Sequence, residues 1–137
     1  MKIIARVLIT GLVVAGASIG TGPASRAADA AGDITRTVLM RQDLDVPGRE
    51  VVMVRVEIPP GVSETLHTHP AELFAYVVEG EMAIEVQGEP TRMLRPGDTF
   101  HVPTGKVHRG INRGKSTVKI STVFVAQKGQ PLSVPAP

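Results

Sequence analysis

Cysteine is absent from this chain of 137 residues. Neither a disulfide nor a thiolate metal ligand is available, and a lipid-modified cysteine anchor is excluded. Tryptophan is also absent, and with one Tyr and three Phe the aromatics make up 3% of the sequence. Platforms for stacking nucleic-acid bases are therefore missing. No run of basic residues occurs, so the phosphate backbone of a nucleic acid has no electrostatic partner here. What the chain does have is 42% hydrophobic and 20% charged residues, with 14 Gly and 11 Pro scattered along it. That composition fits one globular domain rich in turns and short strands.

The first segment reads as a targeting signal. Lys2 and Arg6 form a basic start, residues 7–17 are apolar apart from Thr10 and Gly11, and Gly20, Gly22 and Pro23 break the run. Small residues at Ala27 and Ala30 offer cleavage after residue 27 or 30. The apolar run falls short of the roughly 20 residues that span a bilayer, so contact with the membrane is expected only during export. Three of the 15 basic residues, Lys2, Arg6 and Arg26, leave with residues 1–27, so 12 basic residues then face 13 acidic ones. The basic pI of 9.3 belongs to the precursor, and the mature domain is near neutral. The expected location is secreted or periplasmic.

The expected organisation is a signal peptide at 1–27, a flexible lead-in at 28–36, a domain at 37–126 and a Pro-rich tail at 127–137, extended along the domain surface. Residues 50–58 alternate, with Val52, Val54, Val56 and Ile58 on one face and Met53, Arg55 and Glu57 on the other. Residues 117–125 alternate in the same way. This period of two marks half-buried strands. Shorter strands are expected at 37–41, 73–78, 82–86, 91–94, 99–102 and 107–112, separated by Gly and Pro turns. Gly80 turns 73–78 into 82–86 as a hairpin. No helix beyond the signal is expected. The fold class is all-β and antiparallel, a sandwich or jelly roll.

Three histidines organise the middle of the chain. His67 and His69 are separated by one residue, so on an extended backbone their rings point to the same side. A third imidazole, His108, arrives from a distant strand. Three imidazoles form a facial set with open positions for a ligand, suited to one divalent transition metal. Neutral imidazole accommodates Fe, Mn, Ni, Cu or Zn and does not choose among them.

The stretches around these residues resemble the paired motifs of the cupin superfamily. Gly61, His67, His69 and Gly80 match the first motif, and Gly97, Pro103, Gly105, His108 and Asn112 match the second. The resemblance runs over residues 38–125 and is to small exported single-domain cupins. It implies an antiparallel jelly-roll (cupin) β-barrel and a metal held by His67, His69 and His108. The chain departs from the family at one position: the metal-binding Glu of the first motif falls on Leu73. Glu72 is one residue early and, by strand parity, points outward while Leu73 points inward. Some cupin dioxygenases hold their metal with three histidines, so the departure forbids neither metal nor chemistry.

Around the pocket the candidates are Glu72, Leu73, His101 and Asn112, as supporting or lining residues. His101 belongs to neither motif and differs in parity from Phe100, so only one of the two faces the interior. Asn112 is expected to form structural hydrogen bonds rather than to ligate. Phe74 and Tyr76 share the face of Glu72, where a second subunit in a homodimer could cover them. Three functions fit these residues. One is a metal-dependent oxidoreductase, dioxygenase-like, acting on a small organic molecule. Another is a non-catalytic module that captures a small ligand or metal outside the cytoplasm. The third is a metal-free structural or sensor domain.

Overall fold

The computed structural model describes residues 32–136. The signal segment expected at 1–27, both cleavage sites, and residues 28–31 of the lead-in lie outside the described residues. Ten strands follow in order: β1 (Thr35–Asp43), β2 (Arg49–Ile58), β3 (His67–Thr68), β4 (Ala71–Glu79), β5 (Met82–Val86), β6 (Arg92–Leu94), β7 (Thr99–Val102), β8 (His108–Ile111), β9 (Val118–Gln127) and β10 (Val134–Pro135). They form two five-stranded sheets, β1-β2-β9-β4-β7 and β10-β3-β8-β5-β6. The named strand pairs are antiparallel. The chain is the all-β jelly roll expected from its sequence. Among the described residues, no helix is long and apolar enough to cross a membrane.

The core lies between the two sheets. Val52 and Ile58 of β2, Val77 of β4, Val102 of β7 and Val118 of β9 are fully buried. Each such side chain stabilises the fold by roughly 1.5–3 kcal/mol relative to exposure. β2 and β9 pair in continuous register from Arg49↔Gln127 to Ile58↔Val118. Their buried and half-buried positions alternate as the sequence pattern requires.

The β4–β5 turn depends on Gly80, whose φ of 76° lies in the left-handed region. A Cβ there would also stand 2.9 Å from the Thr117 carbonyl oxygen and 2.9 Å from the Val118 Cα. Only glycine satisfies both conditions.

Three elements depart most from expectation. β1 runs from Thr35 to Asp43, longer than residues 37–41 and beginning inside the expected lead-in. It is an exposed edge strand with a bulge between Val38 and Met40, so no burial alternation marks its limits. β3 is a two-residue strand that no local pattern announces. The tail contributes β10, which pairs with β3 through Val134↔Thr68 and Pro135↔His67.

On the outer face of the first sheet, pairing aligns Met40, Met53, Val123, Phe74 and His101 in one row. Phe74, Tyr76 and Val78 are exposed there, with relative exposures of 48%, 48% and 46%.

Candidate metal centre

His67 lies on β3, and His69 follows it just before Pro70 and β4. His108 opens β8 and pairs directly with His67 across the two strands. The Pro103–Gly105 turn delivers the chain to β8. Gly105 adopts a φ of 74°, and its N–H donates to the His69 carbonyl at 2.8 Å. That bond ties the turn before the third histidine to the strand end carrying the second.

The rings of His67, His69 and His108 converge. Their centroids lie 4.9 Å apart for His67–His69, 4.3 Å for His67–His108 and 4.8 Å for His69–His108. One nitrogen from each ring lies within 4.8 Å of the others, and all three residues are buried. The edge of the set is closed by Phe124, 4.9 Å from His69 at a 76° interplanar angle.

Each Nδ1 is paired with a backbone carbonyl: His67 with Thr65 at 2.8 Å, His108 with Lys106 at 3.0 Å and His69 with Leu132 at 2.6 Å. A carbonyl only accepts, so each Nδ1 carries the proton and donates it. The lone pair of each neutral ring is then on Nε2. Burial pushes the His69 pKa down to about 4, assisted by the neighbouring His108 and His67 and opposed by the Leu132 hydrogen bond. Burial likewise lowers that of His108, against its bond to the Lys106 carbonyl. Both rings are neutral at pH 7. Three imidazoles oriented by second-layer carbonyls fit a borderline transition-metal ion with positions left open.

The histidines form part of the wall of a cavity of about 140 Å³. Its walls are mostly apolar, including Val54, Leu73, Ile84, Phe100 and Ile120. Arg36 and Glu64 form a polar pole in the same wall. Arg36 donates from Nη2 to Glu64 Oε1 at 2.5 Å, and Glu64 Oε2 accepts from the Gly110 N–H at 2.9 Å. Gly110 leaves room for that carboxylate, because a Cβ would come within 3.0 Å of Oε2 and 2.8 Å of Met82 Cε. Sequence reasoning missed Arg36, Glu64 and the Leu132 carbonyl. The position of Glu64 three residues before His67 in the first motif was the available signal for one of them.

The other candidates separate by parity. Leu73 lines the cavity. Glu72 lies on the opposite face, where His101 Nε2–H donates to its Oε2 at 2.6 Å and the Thr104 hydroxyl to its Oε1 at 2.8 Å. Those two partners hold its carboxyl below the usual range. His101 therefore does not line the barrel pocket. Phe100 takes the inward place and His101 stacks outside on Phe74, 4.8 Å away at 20°. Asn112 is buried away from the cavity. Its Nδ2 donates to the Ile58 and Ser116 carbonyls at 2.8 Å each, and its Oδ1 accepts from the Gly114 N–H at 2.9 Å.

A family model described as "Cupin domain" matches residues 54–125. Oxalate oxidase GF-3.8 of Triticum aestivum is 31% identical over 93 residues, covering 62% of this chain and 42% of that protein. Dimethylsulfoniopropionate lyase DddQ of Ruegeria pomeroyi is 38% identical over 53 residues, covering 39% of this chain and 26% of the lyase. The chain spans less than half the length of these curated relatives. Among solved structures, an oxalate oxidase in complex with the substrate analogue glycolate superposes with a TM-score of 0.61 at 27% identity, covering 85% of this chain and 69% of that one. The structure of DMSP lyase DddQ from Ruegeria pomeroyi has a TM-score of 0.62 at 23% identity, covering 75% of this chain and 51% of that chain, and shows the shared fold.

Proposed function

This chain belongs to the cupin family, and we propose that it is an exported, metal-dependent oxidoreductase of the dioxygenase type acting on a small organic molecule. The observation that supports this most is the convergence of His67, His69 and His108 on one side of the 140 Å³ cavity. One divalent transition metal, Fe, Mn, Ni, Cu or Zn, would be held by the three Nε2 atoms. It would supply Lewis-acid chemistry and, where the ion is redox-active, electron transfer. The similarity to proteins named as oxalate oxidases supports an oxidative reading.

The protein's own residues do the rest. Leu73, Ile84, Phe100 and Phe124 keep the ligand face of the imidazoles dry, which strengthens polar interactions inside. Arg36 and Glu64 give the apolar cavity a polar end that orients a ligand with one polar group. An apolar cavity of about 150 Å³ accepts benzene, so the ligand is of that order of size.

The outer row from Met40 to Phe74 supports a homodimer in which a second copy covers this sheet. Protein purified from its native compartment tests these proposals together. Intact mass should show loss of residues 1–27 or 1–30, light scattering a dimer at micromolar concentration, and elemental analysis about one transition-metal ion per chain. Oxygen uptake should appear with phenolic, diketone or thiol substrates. Stoichiometric metal with ligand binding but no uptake across the panel would replace the enzyme by a binding module. Metal-free protein under metal-replete conditions would remove the mechanism. A monomer would count against the dimer alone, and a retained N-terminus against export alone.

A further inference from the structure

We propose that the C-terminal tail is a working part of the metal centre, with the Leu132 carbonyl as the positioning group for His69. The inference rests on the three-histidine metal reading above. Two of the imidazoles are oriented locally: Thr65 and Lys106 each stand two residues before the ring they hold. His69 has no such local partner. Its own carbonyl is taken by the Gly105 N–H, and its Nδ1–H reaches Leu132, 63 positions further along the chain.

Three independent contacts hold the tail there. Val134 and Pro135 pair with Thr68 and His67, the Ala136 N–H donates to the Leu66 carbonyl at 3.0 Å, and Leu132 packs against the core. Leu132 and Ser133 also line the cavity, so the same segment closes its wall. The composition suits the task. Pro131 and Pro135 flank residues 132–134 and restrict the free chain, which lowers the entropy lost when the tail docks. Removing the Leu132 carbonyl frees the His69 ring to rotate and lets its proton populate Nε2, from which a metal must displace it.

The test compares full-length mature protein with a variant ending at Pro131. Metal affinity is measured by chelator competition with Zn²⁺ or Co²⁺, and the His69 tautomer by ¹⁵N imidazole NMR of the metal-free protein. The expected result is a loss of roughly 10–100-fold in affinity, the scale typical for partners that orient a ligand, with a mixed His69 tautomer in a metal-free chain that still unfolds cooperatively. A synthetic peptide of residues 130–137 added in trans should recover part of the affinity. Unchanged affinity together with an intact Nδ1–H tautomer would overturn the proposal. If the truncated chain does not fold, Ala136→Pro decides, because it removes the N–H that ties the tail to Leu66 while keeping the Leu132 side chain and carbonyl in the chain. It should shift affinity several-fold in the same direction, and no shift would overturn the proposal. If the full-length protein binds no metal, the metal reading fails, whereas the NMR comparison still tests the tail.

Discussion

Replacing His67, His69 or His108 by Ala is expected to weaken metal binding by well over 100-fold, measured by chelator competition on folded protein. Each substitution deletes one of three converging lone pairs. The effect should therefore exceed the 10–100-fold that follows loss of a supporting partner. Glu72→Gln should leave affinity within about twofold of wild type. The carboxylate sits on the far side of β4, bonded to His101 and Thr104, and gives nothing to the cavity. Leu73→Glu sends a carboxylate inward from a cavity-lining position and should tighten binding while reducing the net charge of the bound ion. Two results would sink this arrangement: His67→Ala retaining its metal, or Glu72→Gln losing it as severely as a histidine variant does.

Asn112→Ala is expected to destabilise the barrel by about 1–3 kcal/mol while leaving the ligand set in place. The side chain is 1% exposed and joins three backbone groups from two segments: Ile58 at the end of β2, and Gly114 and Ser116 in the turn between β8 and β9. Truncation strands the Ile58 carbonyl in the core at about 1–3 kcal/mol, while the Ser116 carbonyl and the Gly114 N–H belong to exposed residues and turn to solvent. Asn112→Asp should be no better, because a carboxylate oxygen would then face two carbonyl oxygens. Denaturant unfolding at unchanged slope measures the loss. A loss below about 1 kcal/mol would show that the network is dispensable.

What the sequence made legible follows from where burial is one-sided. Val52 to Ile58 and Val118 to Phe124 alternate because one face of each strand meets the core, so both strands and their facing could be read residue by residue. The same parity put Glu72 outside and Leu73 inside without coordinates. β1 was underestimated because both of its faces are exposed and carry no alternation. β3 and β10 have two residues each and exist only through their pairing with one another and with His108. The Leu132 carbonyl was invisible for a further reason: a backbone acceptor has no side-chain signature, and its partner lies far away in sequence. His101 was ambiguous in isolation. The structure resolves it through Phe100, which takes the inward place on β7.

The direct pairing of His67 with His108 would give a bound ion a mechanical role in a chain that has no cysteine. An ion shared by these two rings staples together positions about 40 residues apart. Because the unfolded chain has no preformed site, the ion would stabilise the fold by mass action, by about 2.7 kcal/mol where free metal stands at 100 times its Kd. Unlike a disulfide, such a staple opens without a reductant, because chelation or acid competes for the same lone pairs. With a metal bound, the stability of the barrel and any chemistry at the site would be set by one equilibrium, so metal supply would govern how long the folded protein lasts as well as what it can do.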